Sequence, residues 1–309
     1  MAANTGNWAC SDMASDSPIS LIVNPASGRG RALRYAARLQ AALVARGLEH
    51  QVFATARRGD VRVLAERAAG RDGGWVVVVG GDGSVQEAAQ ALAGRDAALA
   101  VAPAGRCNDF ASYLGPLLSP KDLAAALAAG QSRKVDLVRA QGQGFDRIYC
   151  TVGAIGFDAQ VSRFVDNLKG PLKGQSAYLY GVLRVLAGYN PPPARLTWDG
   201  GGWEGPFLLA AAANTPTYGN RIPIAPAARA EDGLLDLCLV RTAGFWRVLS
   251  VLPLLLMGRH GRLPEVSFAR TRRLVVEAQG LELWADGEPV GWSPLAIEAL
   301  PAALNVLAY

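Results

Sequence analysis

The stretch Trp75-Val-Val-Val-Val-Gly-Gly-Asp-Gly-Ser84 decides how the rest of the chain is read. Its first five residues form an unbroken apolar run, the pattern of a short strand buried on both faces. Such a strand belongs in a parallel sheet covered by helices. Gly80, Gly81 and Gly83 then turn the chain around Asp82. Ser84, with Glu87 three residues later, has the spacing of a capping box, which predicts a helix from there to Ala93.

The same alternation repeats outward in both directions. Ile19 to Val23 reads as a strand and runs into the turn Asn24 to Gly30. Leu33, Ala36, Leu39 and Leu43 then recur at helical spacing, with Gly47 as the stop. A second strand covers 50–54, and a helix runs from an Asp60 N-cap to Ala69, closed by Gly70. A further strand over 98–102 ends at Pro103-Ala104-Gly105. Strand, turn and helix in rotation predict an α/β N-terminal domain with a mostly parallel sheet.

Beyond about residue 134 the pattern changes. Strand signals fall at 134–139, 146–154, 194–199, 206–213, 234–241, 265–269, 273–277 and 281–285, with glycine-rich turns between neighbours. Helical stretches interrupt at 157–168, 175–188 and 244–257. Strands joined by short turns pair antiparallel, so the C-terminal half is expected to be an antiparallel β-sandwich-like domain. The division read from the sequence is a flexible tail over 1–18, the α/β domain over 19–135, the β-rich domain over 136–290, and a segment over 291–309 returning to the first domain.

Hydrophobic residues make up 50% of the 309, enough for a substantial core, which excludes a disordered or fibrous chain. Mean hydropathy is +0.15, high enough to raise the question of a membrane. No apolar run reaches the roughly 20 residues that a spanning helix needs; the longest candidate, Val248 to Met257, is short and contains Pro253. The net charge is +5 without any dense basic run, so a nucleic-acid partner is not expected. Cys10, Cys107, Cys150 and Cys238 are widely separated, which fits a reduced, cytoplasmic setting. Only His50 and His260 are available for histidine chemistry, which argues against His-based metal sites and Ser-His-Asp triads.

In a parallel α/β sheet the loops after the strands gather at the carboxyl edge, where ligands bind. Three glycine-rich loops follow three strands here. Glycine lets backbone N–H groups approach anionic oxygens, and each following helix offers its positive N-terminus. Together they point to a polyphosphate ligand, although none is a Walker A loop or a dinucleotide fingerprint.

Asn24-Pro-Ala-Ser-Gly-Arg-Gly30, Gly80-Gly-Asp-Gly-Ser84 and Pro103-Ala-Gly-Arg-Cys-Asn-Asp-Phe110 resemble the three nucleotide-site motifs of the diacylglycerol kinase catalytic family. The segments Gly153 to Ala159, Tyr218 to Asp236 and Asp286-Gly-Glu288 agree with that family in order and spacing. The resemblance covers about residues 19 to 309. It implies a two-domain lipid kinase fold, with the first domain binding ATP and the γ-phosphoryl group passing to a hydroxyl of a lipid such as diacylglycerol, with Mg²⁺. By the same resemblance Asn24, Ser27, Gly28, Gly30, Thr55, Gly81, Asp82, Gly83, Ser84, Arg106 and Asn108 meet the nucleotide. Asp82, Asp109 and Asp232 form a Mg²⁺-linked network, and Asp232 with the carbonyls of Arg229 and Leu234 holds a structural Mg²⁺. Glu288 is the general base for the lipid hydroxyl, with Asp82 as its rival. Two departures stand out: Ser84 replaces the usual Thr but keeps the hydroxyl, and Arg106 replaces a Thr, exchanging a hydroxyl for a guanidinium.

The lipid acceptor is expected near Phe157, Phe164, Leu168, Tyr178 and the stretch Phe245 to Met257, with Trp246, Arg247 and Arg259 resting at a membrane interface. Reversible contact of a cytoplasmic protein with a membrane surface follows, and a homodimer stays open. Two other readings compete: a soluble-substrate kinase of the NAD kinase type, which shares Gly-Gly-Asp-Gly, and a catalytically inactive nucleotide- or lipid-binding regulator, which the change at Arg106 invites.

Overall fold

The computed structural model describes residues 10–13, 18–70, 73–105, 107–169, 172, 174–219 and 221–308. Its contacts divide the chain into two units, Met1–Asp136 with Ala302–Tyr309, and Leu137–Pro301.

In the first unit the order is β1 (Cys10–Asp12), β2 (Ile19–Val23), α1 (Arg31–Val44), β3 (His50–Ala54), α2 (Asp60–Ala69), β4 (Trp75–Gly80), α3 (Asp82–Leu92), β5 (Ala98–Pro103), α4 (Asp109–Leu114), α5 (Pro120–Ala129) and the start of β6 (Gln131–Gly142). Strands β5, β4, β2 and β3 lie side by side in that order, all parallel. Every residue of β4 is buried, as its apolar run predicts. Leu21, Val23, Val77, Val79, Ala100 and Ala102 pack with Leu39 and Leu43 of α1 and Leu123 and Leu127 of α5. Helices α2 and α3 pack on each other and on the same strands, taking the alternate face that Ile22, Val76 and Val78 present. The Leu39 side chain is fully buried, and truncation to Ala at such a site costs about 2–5 kcal/mol.

Two local expectations change. Cys10–Asp12, assigned to a flexible tail from sequence, pairs antiparallel with residues 131–133, and the Met13 amide donates to the Gly130 carbonyl at 2.7 Å. The capping box does not form either. The helix starts at Asp82 with Gly81 as its N-cap, so Ser84 and Glu87 both lie inside it, and their side chains bind groups distant in sequence. Asp60 likewise opens α2 from its first turn, while Gly59 is the N-cap.

The second unit contains the rest of β6, β7 (Phe145–Tyr149), β8 (Val152–Gly156), α6 (Phe157–Asp166), α7 (Gln175–Leu186), β9 (Ala194–Trp198), β10 (Gly201–Gly205), β11 (Phe207–Ala213), β12 (Leu235–Arg241), α8 (Phe245–Leu256), β13 (Val266–Thr271), β14 (Arg273–Glu277), β15 (Glu282–Ala285), β16 (Glu288–Trp292) and most of β17 (Leu295–Leu307). One sheet runs β13-β12-β11-β8-β15-β16, entirely antiparallel. Strands β10, β9, β14 and β17 pair in that order, also antiparallel, and β6 forms a hairpin with β7.

The core between these layers holds Tyr149, Ile155, Leu196, Phe207, Leu237, Leu274 and Ile297. Alternate residues of β8, β11 and β12 pack on the other side with Ile224, Ala225 and Ala228. That explains why Phe207–Ala213 is apolar throughout and buried at all its positions. The strand signal at 146–154 is two strands rather than one, broken by a buried turn at Cys150-Thr151. Residues 295–298 pair with β14 in the second unit, and 305–306 pair parallel with β5 in the first. The return to the first unit thus begins at Ala302, and residues 291–301 belong to the second. Among the described residues no helix is long and apolar enough to cross a membrane.

Candidate active site

The strand order of the first unit reverses at β2: the chain leaves it for β3 on one side and returns to β4 on the other. Ligands bind at such a switch point, outside the carboxyl ends of the strands. Asn24, Thr55, Gly81 and Ala104 each directly follow the carboxyl end of β2, β3, β4 and β5, or lie within one residue of it. Backbone bonds tie these ends together: Asn24 to the Val79 carbonyl at 3.0 Å, Thr55 to Val23 at 2.9 Å, and Ala104 to Gly80 at 2.7 Å.

Side chains finish the assembly. Asn24 Nδ2 donates to Ser84 Oγ at 3.1 Å, joining the first loop to the second. The Asp82 carboxylate accepts the amide of Asn108 at 2.9 Å and that of Asp109 at 2.8 Å, joining the second loop to the third. Asn108, held at φ 51°, folds its Oδ1 back onto the Gly105 amide at 3.0 Å. Arg106 lies outside the described residues. Arg31, which no motif marked, donates from Nη2 to the Gly105 carbonyl at 2.9 Å and from Nε to Gly28 at 3.2 Å, closing the first loop onto the third. Glu87 accepts the Gly59 amide at 3.0 Å and so anchors the loop after Thr55.

Two glycines are required by this closeness. Gly28 has φ 64°, and a Cβ there would lie 2.1 Å from the Ala104 carbonyl oxygen. A Cβ on Gly105 would lie 2.5 Å from Gly81 Cα. Ser27 to Gly30 runs through three successive left-handed residues before α1 begins. The first amides of α1 and α3 have no partners within their own helices, so the cluster of loops presents N–H groups and positive helix ends to an anion.

In the second unit Asp286 and Gly287, with φ 51° and 81°, form the tip of the β15–β16 hairpin, matching the turn that Asp-Gly predicts. Glu288 follows at the start of β16, half-buried. The Asp286 carboxylate accepts the Cys150 amide at 2.7 Å and the Thr151 amide at 3.0 Å, together with the Thr151 hydroxyl. Asp158, at the start of α6, is buried, and the half-buried Tyr178 and Tyr218 lie against it. Burial pushes its carboxyl above the ordinary range, and the two tyrosine hydroxyls oppose that by hydrogen bonding to it. Tyr178 is therefore part of a polar cluster, and Phe157 packs edge-on against Tyr189. Phe164 and Leu168 do line an open cavity of about 610 Å³, together with Arg163, Glu282 and Trp292.

Comparison with known proteins places both units in known families. Residues 18–140 match the diacylglycerol kinase catalytic domain, and residues 151–308 match the YegS C-terminal NAD kinase beta sandwich-like domain. A diacylglycerol kinase of Mycobacterium tuberculosis (strain ATCC 25618 / H37Rv) is 35% identical over 292 residues, covering 94% of each chain. The chain belongs to the diacylglycerol kinase family of lipid kinases. Members of this kind are phosphotransferases with an alcohol group as acceptor. A Pseudomonas aeruginosa PAO1 protein named "Probable lipid kinase YegS-like" is 33% identical over 263 residues, covering 84% of this chain and 85% of its own. The fold is also that of a solved diacylglycerol kinase structure from Bacillus anthracis str. Sterne, with a TM-score of 0.70 at 21% identity over 95% of this chain and 97% of the other.

The resemblance implies Mg²⁺ at two positions, and the protein groups at these positions differ. Mg²⁺ in phosphoryl-transfer sites takes one or two carboxylates plus substrate phosphates. Asp82 meets that need, because each of its oxygens keeps a lone pair beyond its amide bond. The Asp232 carboxylate has a cationic partner within the protein. Its Oδ1 accepts the Leu234 amide at 3.1 Å, and its Oδ2 is bound by the Arg270 guanidinium. Arg270 Nε also lies 3.8 Å from Asp236 Oδ2. An arginine thus supplies positive charge beside the carboxylate where the resemblance places a cation.

Proposed function

We propose that this lipid kinase transfers the γ-phosphoryl group of ATP to the hydroxyl of a lipid alcohol such as a diacylglycerol. The observation that carries this reading is the bond pair from the Asp82 carboxylate to the Asn108 and Asp109 amides, which holds two phosphate-facing loops together. Loop amides from Ser27 to Gly30 and at the starts of α1 and α3 hold the phosphates. Asn24, Thr55, Ser84 and Asn108 keep the loops in place. Mg²⁺, when bound, neutralises charge on the phosphates, and Asp82 with Asp109 would hold it.

Glu288 accepts the proton of the lipid hydroxyl as its oxygen bonds to the γ-phosphorus. The bond from that phosphorus to the β–γ bridging oxygen breaks, ADP leaves with the electron pair, and the proton on Glu288 returns to solvent. Phosphoryl transfer of this kind is mainly positioning and electrostatics. The Phe164–Leu168 cavity supplies apolar surface for part of the lipid.

The experiment is a labelled-ATP assay against fractionated lipid classes, with NAD as a soluble acceptor and mass spectrometry of the product. Label in a lipid phosphomonoester is expected. Label in NAD alone, or ATP binding with no transfer to any lipid, overturns the reading. Glu288→Gln should retain ATP binding and lose roughly 10²–10⁴-fold in turnover, the usual contribution of a general base.

A further inference from the structure

Cys150 and Thr151 form a turn that is almost fully buried, with exposures of 1% and 4%. Backbone groups buried in this way must find partners, and neither strand ladder supplies them. The carbonyl side is taken by Asn214, itself fully buried. Its Nδ2 donates to the Cys150 carbonyl at 2.8 Å and its amide to the Thr151 carbonyl at 2.8 Å. The amide side is taken by Asp286, which receives both N–H groups and the Thr151 hydroxyl on one carboxylate. A carboxylate is acceptor-only when ionised, so this donor set matches Asp and not its amide.

The geometry points to Asp286 as the positioning residue for Glu288. Asp286 occupies a left-handed turn position that costs a non-glycine residue energy. Its three bonds to the 150–151 turn hold it there. Glu288, two residues on, starts β16 opposite Ala285, so the direction in which its carboxylate leaves the strand is set by the conformation of the tip. The clamp joins the hairpin to the ends of β7, β8 and β11 in the second unit. The part of Asp286 is positional, since the 150–151 turn engages its carboxylate. It acts by keeping the base where the acceptor hydroxyl arrives. This inference rests on the proposed role of Glu288 as the base.

The test is a cycle of Asp286→Asn and Glu288→Gln, read by turnover, KM for ATP, the pH profile of kcat and thermal melting. Asparagine offers two N–H donors towards amides that need an acceptor, so the tip should shift. Displacing a catalytic group by about 1 Å can cost on the order of 10²-fold. We expect Asp286→Asn to lower kcat on that scale, leave KM for ATP within about twofold, and move the acid limb of the kcat–pH profile. In a Glu288→Gln background the same change should cost almost nothing, because the two residues act as a unit.

Thr151→Val removes only the hydroxyl bond and serves if the first variant does not fold. It should give a several-fold loss in kcat that likewise vanishes beside Glu288→Gln. Equal losses in both backgrounds, or wild-type kcat in both Asp286→Asn and Thr151→Val, overturn the inference. Full turnover in Glu288→Gln alone would instead remove the base assignment, and is read separately before the cycle.

Discussion

Asp82 and Asp109 are both acids, yet the Asp109 amide lies 2.8 Å from an Asp82 carboxylate oxygen. The contact is backbone to side chain, so the second loop grips the N-terminus of the helix that follows the third. One carboxylate therefore ties the second loop to the third. Hydrogen bonds to a charged group are each worth about 1.5–3 kcal/mol. Asp82→Ala should weaken binding of a non-hydrolysable ATP analogue by roughly tenfold or more by that measure, and turnover should fall further. Asp82→Asn, which keeps one acceptor, should lie between the two. Titration calorimetry beside the lipid assay checks both.

Gly28 cannot carry a side chain without moving the loop from Ala104. The left-handed conformation alone costs an alanine about 1–2 kcal/mol, and the Cβ would also collide with the Ala104 carbonyl. Gly28→Ala should lower nucleotide affinity markedly with only a small fall in melting temperature, because the strands beneath the loop are untouched. Unchanged affinity would show that the first loop does not contact the phosphates.

Arg270 sits between Asp232 and the buried Asp236, whose carboxyl is pushed up by burial, with Arg270 opposing that shift. The nucleotide-free protein should melt at the same temperature with and without millimolar Mg²⁺. Arg270→Met should be less stable by roughly 1–3 kcal/mol, the cost of an unsatisfied acceptor, and Mg²⁺ should restore part of that loss. A rise in the wild-type melting temperature with Mg²⁺ alone would mean that the cation displaces the arginine.

Asp158 has a pH signature with a definite sign. Its carboxyl is raised above 3.8 by burial. Between that ordinary value and the raised one, the folded state binds more protons than the unfolded, so this group's contribution to stability falls as pH rises. Asp158→Asn lacks that slope. Relative to wild type, it should gain stability as pH climbs through the window and then run parallel above it. Denaturant melts from acid to neutral pH decide this, and a variant that loses stability relative to wild type as pH rises would refute it.

Trp246 is 80% exposed on α8 and Met257, just past its end, is 64% exposed. Arg259 and Arg262 follow in the same stretch, while Arg247 is paired with Glu265. Such a face suits an anionic bilayer, where apolar and aromatic side chains enter the headgroup region beside basic ones. Trp246→Ala should reduce co-sedimentation with anionic lipid vesicles and raise KM for vesicle-borne substrate, without changing ATP affinity. Equal sedimentation of both proteins would show that Trp246 does not contact the bilayer.

Which parts were legible depends on how local the deciding interactions are. The run Trp75 to Val79 reads correctly because burial on both faces needs only neighbouring residues of one kind. Asp286-Gly287 reads as a hairpin tip because φ above zero is a local demand. Ser84 and Glu87 read wrongly: their spacing fits a cap, but Ser84 bonds Asn24 sixty residues away and Glu87 bonds Gly59. Arg31 and Asn214 escaped notice for the same reason, since their partners lie 74 and 64 positions distant.

By itself the sequence determined the alternation of strands and helices, the change to antiparallel pairing after residue 134, and the set of loops able to face a polyphosphate. These follow from periodicity, from the freedom of glycine, and from motifs that resemble a family. Only the tertiary structure decided that Asp82 holds the third loop, that Arg270 stands at the Asp232 turn, and that Asp286 clamps the hairpin carrying Glu288. Each of those is a contact between charged or polar groups far apart in the chain, and a carboxylate's partner is chosen by the fold that brings a donor to it.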